Sequence, residues 1–110
     1  MNDTEYDARV DAIFMQIEDA LDVLDEREDL DIDYESADGI LTLLFANKTK
    51  IILNKQPPLH QIWVATKFNG HHFNLEGEQW IDERFGEEFW TFIDDAASKQ
   101  AGVAISLTGK

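Results

Sequence analysis

Five apolar stretches between residues 29 and 75 follow one another across connections too short to carry the chain over a sheet. A parallel neighbour needs a crossover of a dozen or more residues, so these stretches can pair only by reversing direction. Asp29-Leu30-Asp31-Ile32-Asp33-Tyr34-Glu35 alternates strictly, which places Leu30, Ile32 and Tyr34 on a buried face and four carboxylates in water. Asp38-Gly39 is a two-residue hairpin signal leading into Ile40 to Phe45. Ala46-Asn47-Lys48-Thr49 begins a second turn before Lys50 to Asn54, and Gln56-Pro57-Pro58 interrupts the ladder because proline has no N–H to donate. Leu59 to Thr66 reads as a fourth strand and, after Asn69-Gly70, His71 to Leu75 as a fifth, with Trp80 in another short strand or turn. An antiparallel meander is the expected outcome.

Helical periodicity brackets these strands. Tyr6, Val10, Ile13, Phe14, Ile17, Leu21 and Leu24 recur at spacings of three and four, predicting a helix from about Thr4 to Leu24 capped by Asp3 or Thr4. A second helix is expected to begin near Gly86, with Glu87 and Glu88 in its first turn and Phe89, Phe92, Ile93, Ala96 and Ala97 on one face. Gly102 marks its end, and Val103 to Leu107 is apolar enough to pack. The expected fold class is α+β: a two-layer sandwich with the N- and C-terminal helices on one face of a five- to six-stranded antiparallel sheet. The 110 residues make one domain, 1–110, and with no cysteine it stands on packing alone.

Charge is distributed unevenly along this frame. The first thirty-eight residues hold fifteen acids against Arg9 and Arg27, whereas residues 39–110 hold eight acids and seven bases. At 100° per residue Asp7, Asp11, Glu18, Asp22 and Asp25 fall on one flank of the first helix, with Arg9, Gln16 and Arg27 on another side. Like charges at i and i+4, as in Asp7 with Asp11 and Glu18 with Asp22, each cost about 0.2–0.5 kcal/mol, a cost that nothing in the fold demands. With the acids of the first strand they form an acidic ridge, a directional field suited to a basic partner or to multivalent cations. The bland alternative is a merely solvated charge face.

The same charge repels phosphate, so neither nucleic acid nor an anionic membrane is an expected partner. The opening Met1-Asn2-Asp3-Thr4-Glu5 lacks the basic flank and apolar stretch of a secretion signal, and a cytoplasmic protein is expected. Asp29-x-Asp31-x-Asp33 resembles the start of a calcium loop, but Tyr34 stands where glycine is needed and Ile40 where glutamate is needed. No zinc-hydrolase, phosphate-loop or nucleophile-elbow motif occurs, and an enzyme is not expected. Alternation in the fourth strand sets Gln61, Trp63, Ala65 and Lys67 on the open face, where Trp63 is either an anchor for a protein partner or half-buried beneath a loop. His60, His71 and His72 would approach one another if the fourth and fifth strands pair, with His60 and His72 as candidates for a secondary metal site. The alternative is that they are solvated sheet residues.

Asn54-Lys55-Gln56-Pro57-Pro58-Leu59-His60-Gln61-Ile62-Trp63 resembles the central motif of the frataxins in their bacterial form. The resemblance continues through Ala65-Thr66-Lys67, Gly70, His72-Phe73, Leu75, Gly77, Trp80-Ile81, Arg84, Gly86 and Phe89-Trp90, and includes the acidic first helix and strand. It implies an iron-binding protein of iron–sulfur cluster assembly that docks on cysteine desulfurase and modulates, in bacteria restrains, sulfur transfer to the scaffold protein. The implied metal ligands are Glu18, Asp19, Asp22, Asp25, Asp29, Asp31 and Asp33, with Glu35 on the same ridge. The implied partner contacts are Glu18, Asp22, Asp25, Asn54, Gln56 and Trp63. Around Asp25 to Leu30 the chain carries about two more residues than the family pattern. Carboxylate oxygens suit Fe2+ and Fe3+, and a surface site of this kind is expected to bind weakly and exchange readily. The expected state is a monomer, with oligomers on iron addition as an open alternative. A stand-alone iron chaperone or weak ferroxidase, and a generic acidic adaptor, are the competing functions.

Overall fold

The computed structural model describes residues 1–108. Helix α1 spans Asp3–Leu24, strands β1 to β6 span Ile32–Ala37, Ile40–Phe45, Lys50–Gln56, Gln61–Ala65, Gly70–Glu76 and Gln79–Asp82, and helix α2 spans Phe89–Ala101. The six strands form one antiparallel sheet in sequence order, β1-β2-β3-β4-β5-β6, so the meander is realised with six strands. Ala37 lies opposite Ile40, and Asp38 and Gly39 between them both take positive φ, 52° and 78°. That pair of left-handed residues is the type I′ turn whose twist matches the strands it joins.

Every strand from β2 to β5 alternates between the two layers. Leu41, Leu43, Phe45, Ile51, Leu53, Ile62, Val64 and Phe73 face the helices and are buried. They meet Tyr6, Val10, Phe14, Ile17 and Leu21 of α1 and Phe89, Phe92, Ile93, Ala96 and Ala97 of α2 in one continuous core. Ile105 and Leu107 of the tail join it, and Asp94 accepts the Leu107 N–H at 2.7 Å. The opposite face lies open. On it Ile40 stands opposite Asn54, Asn54 opposite Trp63, and Trp63 opposite His72, a straight row across four strands.

Several boundaries differ from the sequence expectation, each for a local reason. The cap of α1 is Asn2, whose Oδ1 accepts the Glu5 N–H at 2.8 Å, so the helix begins one residue earlier, at Asp3. Strand β1 begins at Ile32 instead of Asp29, because Arg27 clasps the Asp29 carboxylate at 2.6 and 3.0 Å inside the connection. Pro57–Leu59 closes a single 3-10 turn that ends at His60, held at φ 51°, so β4 starts at Gln61 and not at Leu59. Helix α2 starts at Phe89 because Gly86 turns through φ 74° and Glu88, still extended, caps it by accepting from Trp90 N and Thr91 N. Glu88 is therefore the cap and not a first-turn residue.

Candidate functional site

The ridge forms where α1 and β1 lie side by side. Asp19, Asp22, Asp25, Asp31, Asp33 and Glu35 are exposed and Glu18 is half-buried, and among the described residues none of the seven forms a salt bridge. Tyr34 stitches the two elements by donating its hydroxyl to Asp22 at 2.9 Å. That bond, the hydroxyl's partial removal from water, and the charges of Asp22, Glu18 and Asp19 push the Tyr34 phenol above its ordinary value. The phenol thus lies in the field of three ridge carboxylates, of which it touches Asp22.

The expected ridge is compensated at two places, its start and the connection before β1. Lys55 reaches from β3 to Asp11 at 2.6 Å and to Asp7 at 3.5 Å, so the repulsion between that i, i+4 pair is relieved by a cation rather than left as a cost. Burial works against the Lys55 charge, yet the bond to Asp11 and the charges of Asp11 and Asp7 outweigh it and hold the ammonium above its ordinary value. Asp29, expected as a metal ligand, is committed to Arg27, and that bond keeps its carboxyl below the usual range. Among the described residues the uncompensated carboxylates of the ridge are therefore those from Glu18 to Asp25 and, beyond Asp29, Asp31, Asp33 and Glu35. Among the described residues no three His, Asp or Glu side chains converge as a ready-made metal cage. The carboxylates stand as an exposed row.

The second surface is the open sheet face. Trp63 is half-buried, and its ring stacks on His72 with centroids 4.1 Å apart and planes 9° from parallel. Its Nε1–H goes to Gln61 Oε1 at 2.7 Å. Gln61 Nε2 donates in turn to Glu83 Oε2 at 2.8 Å and to Asn74 Oδ1 at 3.1 Å, which explains how a glutamine on the open face comes to be only 7% exposed. Glu83 Oε1 takes the remaining bond, from His72 Nδ1 at 3.1 Å. His72 and Gln61 together hold the Glu83 carboxyl below the usual carboxylate range. Gln61 and Glu83 escaped the sequence reading as a working pair, since only the β4–β5 register and the turn after β6 bring them together.

Asn54 lies beside Trp63 in the register, and Gln56 lies opposite Gln61 where the ladder ends. Buried Tyr6 secures that corner: its hydroxyl donates to the Gln61 carbonyl at 2.5 Å and accepts the Gln56 N–H at 2.9 Å. The histidines do not assemble. His60 pairs with Asp3 at 2.7 Å and stacks on Tyr6 from the helix side, whereas His72 faces the open side with Glu83. His71 alternates to the core face, where Phe73, Phe85 and Phe92 surround it and its buried Nδ1 finds no partner. Strands β4 and β5 pair as the histidine site required, but adjacent residues of a strand point to opposite faces. That alternation parts His71 from His72. His60, in the left-handed turn before β4, is held by Asp3 and Tyr6, and His72 by Glu83, so the secondary site expected at His60 and His72 is not brought together.

A frataxin-like domain model matches residues 1–103. The iron–sulfur cluster assembly protein CyaY of Pseudoalteromonas atlantica is 59% identical over 107 residues, covering 97% of this chain and 95% of that protein. The protein of the same name from Colwellia psychrerythraea is 50% identical over 110 residues, covering both chains fully. Among solved structures, frataxin from Psychromonas ingrahamii superposes with a TM-score of 0.87 at 41% identity, covering 98% of this chain and 99% of its own. Trimeric yeast frataxin complexed with ferrous iron superposes at 0.70 with 25% identity, covering 89% and 86%. With its fold, its motif and nearly its whole length in common with these proteins, the chain belongs to the frataxin-like domain family.

Proposed function

We propose that this protein serves iron–sulfur cluster assembly in the cytoplasm by docking on cysteine desulfurase and regulating sulfur transfer to the scaffold protein. The observation that carries the reading is the pairing of two unlike surfaces on one rigid frame. An uncompensated carboxylate row, Glu18 to Asp25 with Asp31, Asp33 and Glu35, attracts a basic patch and speeds encounter. The open face around Asn54, Gln56 and Trp63 offers an aromatic anchor that is already oriented. The relatives' name as cluster assembly proteins supports the same assignment.

Iron enters this scheme as cargo at the ridge. Glu18, Asp19, Asp22, Asp25, Asp31 and Asp33 supply hard oxygen donors suited to it, while Asp29 would first have to leave Arg27. Without a converging cage the ions bind weakly and exchange, which suits sensing or delivery. The chain is read as a binding protein and not an enzyme, since these carboxylates stand in solvent instead of a cleft. The same exposure favours the second reading, an iron chaperone acting without the desulfurase.

The deciding experiment is binding of purified bacterial cysteine desulfurase to the wild type and to Glu18→Lys with Asp22→Lys. The double variant is expected to lose binding, and added salt to weaken the wild-type complex by screening. Unchanged affinity in both arms rejects the ridge as the docking surface. Fe2+ titration followed by amide NMR separates the second reading, which requires iron transfer by the isolated protein.

A further inference from the structure

The open face contains a polar acceptor that nothing in the fold uses. His72 is stacked flat on Trp63, and its Nδ1 lies 3.1 Å from Glu83 Oε1. A carboxylate can only accept, so Nδ1 carries a proton, and in the neutral ring Nε2 is left with a bare lone pair. Nε2 makes no hydrogen bond among the described residues, and the His72 side chain is 41% exposed. The ring is held in this orientation by the Trp63 stack and by Glu83, which is itself bonded to Gln61, the residue that also takes the Trp63 indole N–H. Toward β3 a shallow groove continues from His72 and Trp63 to neutral Asn54 and Ile52, with Ala65 and Gly70 also lining it.

We propose that His72 is a specificity-determining residue of this face, whose Nε2 accepts a hydrogen bond from an N–H donor, ammonium or guanidinium of a basic partner seated over Trp63. The inference rests on the docking function proposed above and deepens it. Proton uptake at Nε2 replaces the acceptor by a donor and adds a positive charge facing a basic partner, so docking weakens as pH falls. The charged groups meeting His72 are Glu83 against its ring and Asp82, whose carboxylate accepts the His72 backbone N–H at 3.3 Å. From β4 it meets only the uncharged Trp63, and beside it in β5 lies Asn74 in the Gln61 network.

The test measures the dissociation constant for purified cysteine desulfurase at pH 7.5 and pH 5.8 with wild type, His72→Gln, His60→Gln and Trp63→Ala. The partner's own titration is common to all four and cancels in their ratios. Wild type and His60→Gln are expected to lose about tenfold more affinity on acidification than His72→Gln, the scale of one charge-assisted hydrogen bond. Nitrogen NMR of the free protein at pH 7.5 is expected to show protonated Nδ1 and bare Nε2 in His72. Parallel losses in wild type and His72→Gln, a flattened profile in His60→Gln, or an Nε2-protonated ring overturn the inference. Wild-type affinity in Trp63→Ala, or no binding by the wild type at all, sinks the docking function itself. A weakened Trp63→Ala beside an unaltered pH ratio in His72→Gln refutes the inference alone.

Discussion

Replacing Tyr6 by phenylalanine removes one oxygen atom from the corner on which the open face depends. That hydroxyl makes two bonds in a site with no solvent access, donating to the Gln61 carbonyl and accepting the Gln56 N–H. The phenylalanine ring fills the same space, so cavity and packing terms stay small and the loss is polar. An N–H left buried without a partner costs about 1–3 kcal/mol, and a neutral hydrogen bond contributes about 1 kcal/mol net, giving an expected loss of about 2–3 kcal/mol. An unfolding entropy of about 2.1 cal/mol/K per residue turns this into a melting temperature lower by roughly 10 °C. Urea denaturation is the cleaner assay, with a lower midpoint at unchanged slope. A second signature comes from pH. Burial raises the Tyr6 phenol above its ordinary value, more than the Gln56 bond and Lys55 lower it. A folded-state pKa raised above the unfolded one gives stability that is complete below about pH 10 and lost as pH climbs through the folded value. Tyr6→Phe is expected to lack that part of the alkaline loss, while Tyr34, also raised, keeps its own share. A loss under 0.5 kcal/mol, or an alkaline limb identical to wild type, refutes the account.

Asp22→Asn together with Asp25→Asn is expected to raise stability by about 0.5 kcal/mol, because neither carboxylate forms a salt bridge among the described residues and both repel their neighbours. Equilibrium urea curves at low salt test this, and a drop in midpoint contradicts it. Leu107→Ala removes a fully buried side chain that ties the tail to the core, and a loss of about 2–4 kcal/mol is expected by the same method. A tail that contributed nothing to the fold would show no change.

The elements that repeat were legible before any coordinates. In α1 the residues spaced by three and four are the ones that go into the core, since a helix must bury one stripe, and Asp38-Gly39 announced its turn because few other pairs tolerate two positive φ values. The ridge was legible as a density of charge but not in its extent. Whether Asp7 and Asp11 stand free depends on Lys55, which is distant in sequence and arrives only through the β3 register. Asp29 was misread because alternation continues past the point where Arg27 turns the chain aside. The Gln61–Glu83 link was invisible for the same physical reason, as hydrogen bonds between far-apart segments leave no periodic trace. The start of α2 was placed too early because Gly86 and Glu88 are common to both readings, and only the extended backbone at Glu88 separates cap from first turn.

Strand β1 closes one side of the sheet, so among the described residues half of its backbone donors and acceptors meet no neighbouring strand. Such a margin invites a foreign strand to add itself, and Asp33 and Glu35 guard it by mutual repulsion between any two copies brought alongside. A cation that silences those carboxylates disarms the guard. Metal bound at the ridge as proposed is therefore expected to lower the barrier to self-association at that margin.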